Sequence, residues 1–201
     1  MHFTRRTVVA ALAAAPALAK AQAQSNDPRR SDRSIGSADA KVTVQEFFSL
    51  TCTHCAAFQK ETFPQVKEKL IDTGRIRYVW RDFPLDQIAL MAAMVARALP
   101  PERYEPFITA LLTTQDRWVF NRNVNPTDEL AKMAALAGMS RTVFDGTIRD
   151  DGLKQWILSQ QDDAEKKSGV NSTPTFIMNG KSTPGAVSYD DFVKAVEAAT
   201  A

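Results

Sequence analysis

Thiols and imidazoles are scarce in this chain. Its 201 residues include two cysteines and two histidines. A zinc site takes about four ligands, and an iron–sulfur cluster about four thiolates, so neither centre is expected. Haem attachment needs a histidine directly after the second cysteine of a C-x-x-C pair, and Ala56 stands there. No metal and no bound cofactor are therefore expected. A dominant charge is also missing. There are 25 basic and 23 acidic residues, a balance that points to neither nucleic acid nor an acidic partner. No internal repeat occurs, and no low-complexity tract follows the first apolar run.

That run is short. "MHFTRR" is basic, and "TVVAALAAAPALA" is apolar but too short to span a bilayer. "ALAKAQAQS" then offers small-residue cleavage sites ending at Ala19, Ala21 or Ala23. Residues 1–23 are expected to be a removed export signal. Arg5-Arg6 fits both a twin-arginine route and a general secretory one. No cysteine follows the run, so no lipid anchor is expected. Removal of the signal takes His2 and leaves His54 as the one histidine, with 22 basic against 23 acidic residues. Export also places the thiols where disulfides persist, and the periplasm is the expected location.

Residues 24–40, "QSNDPRRSDRSIGSADA", are polar with Pro, Gly and Ser and are expected to be a flexible lead-in. "KVTVQEFF" follows as a strand over 41–48, with Val42, Val44, Glu46 and Phe48 on one face. A helix is expected over 53–72, kinked at Pro64, with Phe58, Val66 and Leu70 on its buried side. "RIRYVWRDF" is a second strand. Arg75, Arg77 and Arg81 alternate along it as a solvated side. From Leu85 to Lys167 only helices are expected, one of them capped by Thr127 and stopped by Gly138. Strand character returns at "TPTFIMNGKST", 173–183, around an Asn-Gly turn at 179–180. A last helix over 188–199 carries Tyr189, Phe192, Val193 and Val196 on one face. The order predicts one α/β domain in two parts, 41–84 and 168–199, with an all-helical domain inserted over 85–167.

Cys52 and Cys55 are separated by two residues at the start of a predicted helix. Free N–H groups and the helix dipole at such an end favour a thiolate on the first sulfur. A thiolate attacks disulfides and a neutral thiol does not, so the pair suits two-electron exchange. A structural disulfide is the other reading, but a loop this short constrains little chain entropy. His54, between the two, would favour the Cys52 thiolate further if it donates a hydrogen bond or carries a proton. A more stable thiolate makes the disulfide form a stronger oxidant. Two more positions stand out. Pro174 enters a strand, as an ordinary trans turn proline or as a cis bend. Glu46 lies on an apolar strand face, either as a buried proton acceptor or as a strand-end carboxylate reaching solvent.

"EFFSLTCTHCAAF", "RDFPL" and "GVNSTPTFIMNGK" together resemble the DsbA-like family of thiol-disulfide oxidoreductases. The resemblance spans about residues 38–199. It implies a thioredoxin-like fold with an inserted all-helical domain. It implies Cys52 as the exposed nucleophile, Cys55 as the buried resolving thiol, and their disulfide in place of a cofactor. His54 becomes the thiolate stabiliser. Pro174 becomes a cis-proline facing the disulfide, and Thr173 offers backbone to an extended substrate. Glu46 falls where the family often buries an acid. The implied activity is donation of disulfides to reduced exported proteins, with a DsbB-like membrane oxidase as the re-oxidising partner. Two positions depart from the best-known oxidases, which have Pro where Thr53 stands and often Val where Thr173 stands. Thr173 resembles the isomerase branch. The 17 residues from Gln24 to Ala40 are too few for the dimerisation domain of that branch, so a monomer is expected. Cys55 separates the chain from glutathione-binding relatives that lack a second cysteine. The rival readings are a reductase or isomerase using the same site, and a non-catalytic peptide-binding chaperone.

Overall fold

In a computed structural model of the chain, residues 27–200 are described. The expected export signal lies outside them. The chain divides after Ser31 into two compact units. In the first, Asp27 caps a single 3-10 turn, Pro28–Arg30, and pairs with Arg29 at 2.7 Å.

The second unit is built on a five-stranded sheet: β1 Arg33–Gly36, β2 Val42–Phe48, β3 Ile76–Asp82, β4 Thr175–Met178 and β5 Lys181–Pro184, in the spatial order β1-β3-β2-β4-β5. β2 runs parallel to β3 and antiparallel to β4. It is therefore a central strand, and its apolar residues serve both faces. Val42, Val44 and Phe48 enter the main core, whereas Phe47 joins Phe83, Ala164, Val170 and Ile177 in a second one. Asn179 and Gly180, both at positive φ (45° and 86°), close the β4–β5 hairpin with the geometry that an Asn-Gly pair favours.

After β2 comes α1, Thr53–Glu61. The expected kink is a break. Pro64 has no N–H to continue α1, and the chain restarts as α2, Phe63–Val66, with Pro64 in the first turn where no donor is needed. A π-helical turn, Lys67–Ile71, continues it. Between β3 and β4 stand six helices: α3 Gln87–Ala98, α4 Pro101–Thr113, α5 Gln115–Trp118, α6 Pro126–Leu136, α7 Arg141–Thr147 and α8 Asp151–Ser168. The last, α9 Tyr189–Thr200, buries Phe192 and Val196 against the sheet. Phe58 of α1 meets Phe176 of β4 at 4.6 Å and Phe192 of α9 at 5.9 Å between ring centroids. Each such side chain contributes about 1.5–3 kcal/mol by burial, so this cluster fixes α1, and the cysteines at its start, against the sheet. This is a thioredoxin fold with a helical insertion.

Two local expectations are corrected. The stretch read as a flexible lead-in contains β1, antiparallel to β3 with Arg33 opposite Trp80. An edge strand with one wet face needs no apolar run, so its polar composition hid it. Gly36, at φ +88°, lets the backbones approach closely; a Cβ there would lie 2.5 Å from the Ile76 carbonyl oxygen. The cap of α6 is Asn125, whose side chain accepts from the N–H groups of Thr127 and Asp128, with Pro126 opening the helix. Thr127 is one of the capped residues.

A buried ion pair ties the insertion to the sheet. Arg97 of α3 donates from Nε to Asp82 at the end of β3, and both side chains are nearly inaccessible. Tyr104 of α4 donates to the same carboxylate at 3.3 Å, and Arg33 of β1 donates to the Arg97 carbonyl at 2.8 Å. Polar groups from four elements thus satisfy one another out of water, as burial demands.

Candidate active site

The two cysteines sit where β2 gives way to α1, at the buried turn over residues 49–52 and in the first turn of the helix. Cys52 is the N-cap residue of α1, with extended backbone (φ −80°, ψ 122°), and has no capping side-chain bond. Its N–H donates to the Ser49 carbonyl at 3.1 Å, and its carbonyl accepts the first helical bond from Ala56 at 3.1 Å. Cys55, one turn in, is wholly buried. Both are free thiols.

Electrostatics separates them. The Cys52 pKa is lowered to about 5. The largest cause is a hydrogen bond from the Cys55 thiol. Burial opposes the shift, and Thr173 with the backbone N–H groups of Cys55 and His54 adds to it. Cys55 moves the other way: burial pushes its thiol far up, and its bond to Cys52 and the nearby Glu46 act in the same sense. One sulfur is thus a thiolate at neutral pH, and the other holds the proton that stabilises it.

The sequence-predicted residues come together here with two differences from expectation. Cys52 is the more accessible sulfur, but it is only 8% exposed and is a nearly covered nucleophile. Its side chain turns onto the loop before β4, where Sγ lies 3.3 Å from the Thr173 carbonyl oxygen, a hydrogen bond that it donates only as the neutral thiol. His54 is exposed, and it reaches the Cys52 sulfur through its backbone N–H. The Thr173–Pro174 peptide bond is cis, and Thr173 lies against the sulfur. The Thr173 hydroxyl is buried, and its approach to the sulfur is part of what lowers the Cys52 pKa. Glu46 is 1% exposed and accepts from the Tyr78 hydroxyl at 2.9 Å. Burial, opposed by the Tyr78 bond, raises its carboxyl to about 8, with the Cys52 charge adding to the rise. Glu46 therefore holds a proton at neutral pH.

Sequence reasoning missed the residues that hold this turn. Thr51 donates to Asp86 at 2.6 Å, and Asp86 also caps α3 through the Ala89 N–H. Ser49 Oγ shares a hydrogen bond with Thr51 Oγ1 at 3.3 Å. Gln115 of α5 reaches the carbonyls of Leu50 and Cys52. Tyr78, read only as part of a strand pattern, is the partner of Glu46.

Comparison with known proteins agrees with the fold. Residues 29–198 match the family model described as Thioredoxin. The crystal structure of α-DsbA1 from Wolbachia pipientis superposes with a TM-score of 0.77 at 30% identity, covering 84% of this chain and 90% of that one. The chain belongs to the DsbA-like branch of the thioredoxin family. A putative protein-disulfide oxidoreductase of Rickettsia bellii is 30% identical over 76% of this chain and 58% of its own length. The chain spans about three fifths of such curated relatives. BdbD from Bacillus subtilis, with a TM-score of 0.72 at 19% identity, covers 84% of this chain and 92% of its own and shares the fold. Among the described residues, no helix of this DsbA-like chain is long and apolar enough to cross a membrane.

Proposed function

We propose that this protein is a thiol-disulfide oxidoreductase that donates disulfides to reduced proteins exported to the periplasm. One observation carries the reading: Cys52 sits at the N-terminus of α1 with its pKa lowered to about 5, beside a Cys55 that keeps its proton. In the oxidised protein a substrate thiolate attacks Cys52 Sγ. The Cys52–Cys55 bond breaks, and its electron pair leaves on Cys55. Cys55, whose thiol strongly favours its proton, takes one up. Glu46, protonated at neutral pH and close enough to act on Cys55, is a buried source. A second substrate thiolate then attacks the substrate sulfur of the mixed disulfide. Cys52 leaves as the stabilised thiolate, the substrate has lost two electrons, and the protein holds them as a dithiol. The Thr173 backbone beside Pro174 supplies the edge against which an extended substrate aligns. His54 adds its backbone N–H, and its imidazole is exposed to solvent. No cofactor is required beyond the cysteine pair. A DsbB-like membrane oxidase is the proposed source of re-oxidation, and the monomer is the proposed working form.

The test is oxidative refolding of reduced ribonuclease. Cys52→Ala should abolish it, and full activity in that variant would sink the mechanism. Cys55→Ala should accumulate mixed disulfides on a non-reducing gel. Thr173 before the proline favours a second reading, in which the same site reduces or reshuffles disulfides. Titration against glutathione separates the two: an equilibrium nearly as reducing as thioredoxin's would select the second.

A further inference from the structure

The helical insertion contributes a side chain to the active-site turn. Gln115 is the first residue of α5 and is buried. Its Nε2 donates to the Leu50 carbonyl at 2.9 Å and to the Cys52 carbonyl at 3.0 Å. An amide NH2 has two hydrogens, and both are used. The amide orientation follows from chemistry, because only the NH2 end can face two carbonyl oxygens. The two acceptors bracket Thr51. The second belongs to the N-cap residue of α1, whose carbonyl also receives the Ala56 N–H.

This double bond sets the conformation of the turn. An N-cap residue must leave the helix with extended backbone, so that the next N–H groups stay free and converge on its side chain. At this position the side chain is the Cys52 thiol, and the converging N–H groups belong to His54 and Cys55. Cys52 makes no capping hydrogen bond of the ordinary Ser or Asp kind, so its own side chain does not fix that geometry. Thr51 is anchored on the other side by Asp86 at 2.6 Å. Gln115 supplies the remaining restraint, from an element 63 residues away.

We infer that Gln115 is a positioning residue of the active site: its amide holds the Leu50–Cys52 turn so that the first N–H groups of α1 aim at the Cys52 sulfur. The inference rests on the reading of Cys52 as the reactive thiolate. It gives the insertion a role in the chemistry beyond covering the sheet.

The test uses the reduced protein and follows thiolate absorbance near 240 nm against pH. Gln115→Met keeps the length and apolar bulk of the side chain and removes both donors. Gln59→Met is the control, because Gln59 also joins α1 to the insertion, through Thr109 at 3.0 Å, but does not touch the turn. A purely structural role for Gln115 predicts that both variants lower Tm and titrate like wild type. The positioning role predicts that only Gln115→Met titrates at higher pH, by about one unit. At pH 5 that shift means about five-fold less thiolate and a correspondingly slower alkylation by iodoacetamide. Gln115→Asn stays neutral and keeps the NH2 group but is one methylene shorter, so it should fall between wild type and Gln115→Met. If Gln115→Met does not fold, Gln115→Asn decides: a shift to higher pH supports the role and an unchanged titration overturns it. A wild-type thiol that titrates near the ordinary value would remove the reading of Cys52 while leaving the comparison among variants intact.

Discussion

Acidification of the reduced protein should cost it a stabilisation that a serine at position 52 never has. The Cys52 thiol has a pKa of about 5 when folded and about 8.5 in an unfolded chain. A lowered pKa stabilises the fold fully above the unfolded value. The contribution shrinks as pH falls between the two values and is gone below about 5. From pH 7 downward, two units remain to be lost, and each is worth about 1.4 kcal/mol. Reduced wild type should therefore lose about 3 kcal/mol more than Cys52→Ser between pH 7 and pH 4. Urea unfolding of both proteins at both pH values measures this. With slopes of about 1–3 kcal/mol/M for small domains, the wild-type midpoint should fall by roughly 1–3 M more than that of the variant. The Glu46 titration is present in both proteins and largely cancels. The same 3 kcal/mol favours the dithiol over the disulfide by about 60 mV at neutral pH, so the assay also measures oxidising power. Equal losses in the two proteins would refute the assignment of the thiolate.

Three other outcomes are expected. Glu46, with its carboxyl raised to about 8 against about 4.3 unfolded, destabilises the fold as pH rises through that window; Glu46→Gln should gain on the order of 5 kcal/mol at pH 8 and little at pH 4, and a gain independent of pH would contradict the buried-acid reading. Asp82→Ala leaves Arg97 buried without its carboxylate and should cost about 3–5 kcal/mol in urea unfolding; a loss below about 1 kcal/mol would mean that water reaches the pair. Gly36→Ala places a methyl 2.5 Å from the Ile76 carbonyl oxygen at a positive φ and should lower stability by about 2 kcal/mol or more, with hydrogen exchange rising first along β1 if the edge strand is what gives way.

The β2 and β3 strands, the Asn179–Gly180 hairpin and α9 were legible because each buries an apolar set at a fixed period. β1 was not, since an edge strand held by a buried Arg33 and a close-approaching Gly36 carries no such pattern. In the site, the spacing of Cys52 and Cys55 announced itself. Thr173 and Pro174 became site residues only through family resemblance, because a β-crossover of more than a hundred residues brings them to the sulfur. Gln115, Tyr78 and Asp86 left no mark at all. Each acts by one or two hydrogen bonds to a partner remote in sequence, and a glutamine at a helix start or a tyrosine in a strand looks the same with or without such a partner. The sequence also could not show that the imidazole of His54 faces solvent, since two adjacent helical positions point in different directions.

The crossover has a consequence for the order in which the molecule is made. Cys52 and the Thr173 carbonyl that touches it are 121 residues apart along the chain. Contacts of such high sequence separation close late, after local helices have formed. A chain emerging from synthesis therefore presents its cysteine pair long before β4 arrives to complete the sheet beside it. During that interval neither the cover over Cys52 nor the Thr173 contact exists, and only the local contacts of α1, from Cys55 and the first N–H groups, act on the sulfur. The site is thus completed as the last strands dock, a built-in delay between having the thiols and having the whole enzyme.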